Sequence, residues 1–374
     1  MTLVQSAHPL VTDGTRAPEW RQGAWTLEGR DMKNRRMVVS RYGGPEVLSM
    51  VEEDLPEPAA GHARVKVIAA GVSGFDLMYR RSGRLPGAQA VPFALGEDVV
   101  GVIDAVGEGV TSLTPGQVVA GWTLALGVGG GYAEYVCLPA ADLVPVPADV
   151  DPAAAVCLIS NYLTAQLHMC EYADVQAGER VLVHGAAGGV GTALLDLGQT
   201  MDLEMYGTAS RHNHASVSRF GAIPIDYENE DFVERTRELS GGGVDVVVDP
   251  VGGARHLWRS YRALGADGRL IWLGSAATKG RTPWAGLSSV PMIGLLKVLP
   301  DGKSVPHCPT VGSYAKSHPG WYRETLSELL EALATGRIDP VVAQRLPLAE
   351  AEEAHRMLER GGVGGKIVLM AQGN

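Results

Sequence analysis

The stretch "VLVHGAAGGVGTALL", Val181 to Leu195, holds the clearest chemical motif of the chain. It passes from β-branched apolar residues through a glycine cluster into helix formers. Ala186-x-Gly188-x-x-Gly191 is the spacing of a pyrophosphate-binding turn, with Ala at its first position. Gly188 lets the backbone approach the phosphates, and Gly191 lets the helix pack close to the strand. The backbone of Ala187, Gly188, Gly189, Val190 and Gly191 then offers N–H groups and a positive helix end to an anion. A turn that needs glycine only for packing is the bland alternative.

The next apolar strand decides between dinucleotides. An NAD site ends this strand on an acid, about twenty residues past the glycines, that binds the ribose hydroxyls. Here it ends "GTASRHNH", with Ser210 and Arg211 at that place. A hydroxyl and a guanidinium suit a 2′-phosphate. Tyr227, after "IPID", is placed to reach the same phosphate from the third strand. The expected cofactor is therefore NADPH.

The elements that must position these residues form a consistent series. From about Asp151 a helical pattern, "PAAAVCLISNYLTAQLHMCEYA", leads into strands that alternate with helices. The strands are short continuous apolar runs, as in a parallel sheet covered on both faces. That is the context the glycine motif requires. Before it, Met37 to about Pro147 reads as short strands with glycine-rich turns. The expected fold class is α/β: a mostly-β domain over 37–150 and a doubly wound parallel-sheet domain over 151–302. A segment over 303–374 returns to the first domain. Residues 1–36 lack periodicity and are expected to be a tail, or translation upstream of a start such as Met37. Lys33-Asn34-Arg35-Arg36 reads as a solvated stretch ahead of the first strand. Ala276–Pro319 reads as irregular and apolar, a lid or a dimer face.

Composition excludes several classes. A net charge of −10 leaves no basic stripe for nucleic acid. Four cysteines, Cys137, Cys157, Cys170 and Cys308, are far apart and form no C-x-x-C, against a disulfide framework or structural zinc. The greasiest stretch, Ser288–Pro300, is too short to span a membrane. No secretory signal pattern is visible, so a cytoplasmic setting is expected.

Taken together, "GGYAEYVCLP", "AGERVLVHGAAGGVGTALL", "GTAS", "GGGVDVVVDPVGG" and "GRLIWLGS" resemble the zinc-independent quinone oxidoreductase branch of the medium-chain dehydrogenase/reductase superfamily. "GEDVVG" and "LISNYLTA" resemble the subgroup near the vesicle amine transport protein homologues. The resemblance runs from Met37 to about Ala371 and is loosest at Ala276–Pro319. It implies a GroES-like catalytic domain, a Rossmann domain, a cleft between them and a homodimer. It also implies reduction of a quinone or an α,β-unsaturated carbonyl, a small hydrophobic substrate.

Zinc-dependent relatives place Cys and His at positions that match Ser73, Glu97-Asp98 and Asn161 here, so no metal is expected. By matched position Ser73, Asn161 and Tyr162 are the hydrogen-bond donors expected beside the nicotinamide. Asp76 is expected to fix its loop. By the fold, Pro250 and Val251 after the fourth strand and Gly274 and Ser275 after the fifth are expected to meet the ribose and the nicotinamide amide. Lys366 in "GGVGGKIVL" is expected either to approach the cofactor or to form a surface ion pair. Two other readings stay open on the same fold: an NADPH-binding sensor or scaffold with little turnover, and a redox-neutral or cyclising enzyme.

Overall fold

Alternation makes a strand of the first residues that can be described. The structure, a computed structural model, describes residues 33–82, 90–123, 130–274 and 284–371, the side chains of 284–287 aside. β1 (Lys33–Val39) pairs antiparallel with β2 (Leu48–Asp54). This corrects the expectation of a solvated stretch at 33–36. Asn34 turns inward, 2 % exposed, while Lys33 and Arg36 meet Asp54 and Glu53 across the pair at 2.5 and 3.0 Å. The basic run is a strand because an acidic strand faces it.

The first lobe is built on β3 (His62–Val72), an almost continuous apolar run. β4 (Phe93–Ala94) joins β1, and β5 (Asp98–Val106), β6 (Val118–Trp122), β7 (Tyr135–Pro139) and β8 (Val144–Pro145) complete the N-terminal strands. The second lobe holds β9 (Arg180–His184), β10 (Glu204–Ala209), β11 (Ile223–Asp226), β12 (Val244–Asp249) and β13 (Leu264–Trp272). These five are all parallel, in the order β11-β10-β9-β12-β13. The order reverses beside β9, so a crevice opens at its carboxyl end, where the glycine motif stands.

The chain then returns. β14 (Val342–Pro347) pairs with β15 (Lys366–Met370), and β15 pairs antiparallel with β3. The first-lobe sheet thus runs β14-β15-β3-β5-β6-β8, with β7 also on β3. Within the stretch expected to be irregular, a helix forms at Trp284–Leu296, with Pro291 inside it, and another at Val311–Ser317. Periodicity did not reveal the first, because it is apolar nearly all round. No helix among the described residues is long and apolar enough to cross a membrane.

A long helix links the lobes at 152–172. Asp151 caps it by accepting from Ala153 and Ala154 N–H, with Pro152 at its first position. It contains two π turns, Leu158–Tyr162 and Leu167–Tyr172. The first widens the helix where "LISNY" must serve three neighbours at once.

Candidate active site

The glycine loop has the geometry of an anion cradle. Gly185 adopts φ +63°, and Gly188 N–H donates back to its carbonyl at 2.9 Å. The helix Gly189–Thr200 starts with no side-chain cap, so its first N–H groups lack the usual carboxylate or hydroxyl partner. A Cβ on Gly191 would stand 2.3 Å from the Gly185 carbonyl oxygen, so only glycine permits this approach of helix to strand.

A buried polar network shapes the loop from below. Thr208 Oγ1 on β10 accepts from Gly185 N–H at 3.3 Å and lies 3.0 Å from His184 Nδ1. Ser260 donates to Asp249 at 2.7 Å and lies 3.0 Å from His184 Nε2. The other Asp249 oxygen accepts from Val251 and Gly252 N–H at 2.8 and 2.9 Å, which sets the turn at Pro250 and Val251. Burial, with His256 beside it, pushes His184 down to about 3, so it is a neutral link. His184, Asp249 and His256 stand close enough to hold a cation, but the Ser260 hydroxyl already joins the first two.

At the end of β10, Ser210 is nearly buried and opens a short turn, while Arg211 is exposed. Ser210 Oγ lies 3.3 Å from His212 Nε2 and accepts from Asn213 Nδ2 at 3.4 Å. Tyr227, 48 % exposed, follows β11. Gly274 follows β13 with φ +94°. Ser275 lies outside the described residues.

The sequence reading missed what covers this corner. Gly361 to Gly365 bring a backbone strap onto the glycine loop: Gly365 N–H donates to Ala187 O at 3.0 Å, and Gly188 and Gly365 form a parallel bridge. A Cβ on Gly362 would come 3.4 Å from His212 Nε2, and one on Gly364 3.4 Å from Ser216 Oγ. The glycine run ahead of Lys366 was the available signal.

Lys366 does not form the surface ion pair that was one of its two expected places: it is 3 % exposed. Its Nζ pairs with Asp98 on β5 and donates to Ser160 Oγ at 2.7 Å, while Ser160 donates to Asp98 at 2.6 Å. Burial pulls its pKa down, but the neighbouring carboxylates, Asp98 foremost, outweigh that and hold it above the ordinary lysine value. The triad ties both sheet strands to the linking helix.

The three expected donors part company. The π turn fans out three successive side chains: Ser160 faces Asp98, Asn161 faces the glycine helix, and Tyr162 faces Asp196. A Cβ on Gly189 would fall 2.5 Å from Asn161 Nδ2, so the amide lies directly over the helix start. Tyr162 instead donates to buried Asp196, which also accepts from Asp339 N–H at 2.8 Å. Burial and that carboxylate push the phenol far above its ordinary value. In this structure its hydroxyl is a strut to Asp196.

Ser73 caps the helix Gly74–Arg81. Its Oγ accepts from Asp76 N–H at 3.3 Å, and Asp76 accepts from Ser73 N–H at 2.8 Å. Asp76 also accepts from Gly96 N–H at 2.9 Å and from the Tyr132 hydroxyl at 3.1 Å, so it fixes two loops. Tyr132 leads on to buried His355 and Arg80.

Glu97 stands among these groups, 3 % exposed. One oxygen accepts a long 3.5 Å contact from Trp122 Nε1, and the other has no hydrogen-bond partner among the described residues. Burial, then Asp98 and Asp76, push it up to about 8, against Lys366 and the Ser73 hydroxyl. Hydroxyl, amide and carboxyl groups with no thiolate or imidazole do not fit a tetrahedral zinc here. Cys157, in the helix below, is buried and pushed up to about 12 by burial.

Two family models match the chain. "Alcohol dehydrogenase GroES-like domain" covers residues 59–148, and "Zinc-binding dehydrogenase" covers residues 221–369. A quinone oxidoreductase of Pseudomonas aeruginosa is 33 % identical over 340 residues, covering 90 % of this chain and 99 % of that protein. A synaptic vesicle membrane protein VAT-1 homolog of Danio rerio is 31 % identical over 353 residues, covering 90 % of this chain and 70 % of its own length. Among solved structures, the Escherichia coli quinone oxidoreductase complexed with NADPH matches with a TM-score of 0.78 and 28 % identity, over 90 % of this chain and 99 % of that one.

Proposed function

This chain belongs to the zinc-independent quinone oxidoreductase branch of the medium-chain dehydrogenase/reductase superfamily, and from that premise we propose that it reduces a quinone or an α,β-unsaturated carbonyl with NADPH. The carrying observation is the paired arrangement at the two strand ends. An uncapped helix start and glycine loop follow β9, and Ser210 with Arg211, rather than an acid, follow β10. The solved relative complexed with NADPH supports the same cofactor.

The residues divide the work. The N–H groups at Gly189 to Gly191 hold the pyrophosphate, Ser210 and Arg211 take the 2′-phosphate, and the Gly361–Gly365 strap closes over them. When bound, NADPH supplies a hydride to an electron-poor carbon. The charge then flows into a conjugated oxygen, which hydrogen-bond donors alone can stabilise. Asn161, over the glycine helix, and Ser73, at its helix cap, remain as the side chains proposed to border that oxygen. The oxygen needs no Lewis acid, consistent with a cleft whose donor set does not fit zinc.

The test is NADPH oxidation by chelator-treated protein with a panel of quinones and enones, run beside NADH. Acceptor-dependent turnover that prefers NADPH is the expected result. NADPH binding with no turnover on any acceptor would overturn the assignment.

A further inference from the structure

We propose that Glu97 is the proton donor of this cleft, passing its carboxyl proton to the substrate oxygen that receives negative charge. The inference rests on the hydride-transfer reading above and goes beyond it. In the step, the hydride's C–H bond to the cofactor breaks and a C–H bond forms at the acceptor carbon. The C=C electron pair forms a new double bond to the carbonyl carbon, and the C=O π pair moves onto the oxygen. The O–H bond of Glu97 breaks as the new O–H forms, and the carboxylate regains a proton from water.

Three observations carry it. Glu97 is next in sequence to Asp98, and Asp98 is bound to Ser160, whose neighbour Asn161 lies over the start of the glycine helix. Glu97 is thus one residue from the strand end tied to the linking helix, and its carboxyl has Asp98, Asp76, Lys366 and Ser73 for neighbours. Second, one of its oxygens is buried with no hydrogen-bond partner among the described residues, and the carboxyl is served only by the long Trp122 contact and the Ser73 hydroxyl. A buried carboxylate so poorly served is costly, whereas a carboxylic acid has an O–H to give. Third, the neighbouring charges select the acid form. Asp98 on β5 and Asp76 on the Gly74–Arg81 helix repel a further negative charge, and Lys366 on β15 is committed to Asp98. Tyr79 and Tyr132, which also face it, are themselves held in the phenol form by burial. The other two acids are already in use: Asp76 accepts three hydrogen bonds, and Asp98 is the ion-pair partner. A proton kept on a carboxyl at neutral pH beside a ligand cleft is the arrangement of a general acid.

The experiment follows kcat for NADPH oxidation from about pH 6 to about pH 9.5 with 1,4-benzoquinone and with cyclohexenone as acceptors. Wild type is expected to lose activity as pH rises through about 8. Glu97→Gln is expected to lower kcat about a hundredfold or more at the acid end and to abolish that fall. NADPH binding, read by nucleotide fluorescence, is expected to stay unchanged and reports that the variant is folded. Wild-type kcat and the same basic limb in Glu97→Gln would overturn the proposal while leaving the hydride-transfer reading intact. No wild-type turnover with either acceptor would overturn both. If the variant fails to bind NADPH, infrared titration of the wild type decides. A protonated-carboxyl stretch lost near pH 8 upholds the donor. A spectrum with every buried carboxyl ionised below that pH overturns it.

Discussion

The Lys366 side chain crosses the bare Cα of Gly71 on its way to Asp98. A Cβ on Gly71 would stand 2.3 Å from Lys366 Cε and 2.8 Å from Asp98 Oδ2. Gly71 pairs with Asp98 on one side and Val368 on the other, so the gap lies in the middle of the sheet. The glycine is what permits an ion pair inside it. Gly71→Ala should therefore destabilise the protein by about 1–3 kcal/mol through overpacking. Thermal unfolding would measure this, and an unchanged midpoint would show that the lysine has another route.

The ion pair itself makes a sharper case. Lys366→Met leaves Asp98 buried and uncompensated, which should cost about 3–5 kcal/mol. Lys366→Met with Asp98→Asn removes both charges and should recover much of that loss. Denaturant unfolding of the two singles and the double completes the cycle. Additive losses would show that the two groups act independently.

Glu97→Gln should alter the dependence of stability on pH. The folded-state pKa is raised from 4.5 to about 8. Between those values the unfolded chain gives up this proton and the folded chain keeps it. Wild type therefore loses stability as pH rises across that window, at a limiting slope of about 1.4 kcal/mol per unit. The variant lacks the term, so it should gain on wild type steadily from pH 5 to 8 and hold a constant lead above. A difference independent of pH would mean that Glu97 is ionised in the folded protein.

Tyr162→Phe separates a strut from a substrate donor. Loss of the bond to buried Asp196 should cost about 1–3 kcal/mol of stability. Turnover at a temperature well below unfolding should change little. A large fall in kcat with intact stability would return Tyr162 to the reacting centre.

Arg211→Ala should weaken NADPH binding about ten- to a hundredfold and leave NADH binding nearly unchanged. Fluorescence titration with both nucleotides measures the ratio. Equal losses would assign the 2′-phosphate to other residues, with His212 the first to test.

Much of the second lobe was legible because its strands are short apolar runs with glycine or acid at their ends. The glycine loop after β9 and the Ser210 turn after β10 stand where the pattern put them. What the sequence hid depends on contacts made far along the chain. The buried ion pair of Lys366 was not among its expected places because its partners, Asp98 and Ser160, are 268 and 206 positions away. The bond from Tyr162 to Asp196 was hidden because a π turn changes the angular spacing that a helical reading assumes. Lys33 to Arg36 read as solvated because the acids that pair with Lys33 and Arg36 lie on the next strand and the one that pairs with Arg35 is Glu134. Glu97 gave a residue type but no environment, and its protonation follows from neighbours that only the fold assembles.

The placement of β15 bears on how the protein is made. The second-lobe sheet draws its strands from one continuous stretch, Arg180 to Trp272, so it can assemble as soon as that stretch leaves the ribosome. The first-lobe sheet cannot be completed then, because Ala69–Val72 of β3 lack a partner on one edge until Lys366–Met370 has been synthesised. The open edge of β3 is apolar and ready to pair with other strands. During that interval the chain carries a nearly finished nucleotide lobe beside an unfinished, adhesive one. The strap over the glycine loop arrives on the same segment as β15, so full cofactor affinity and protection from aggregation should appear in one step. A nascent chain halted short of Gly361 would be both the weaker nucleotide binder and the preferred chaperone client.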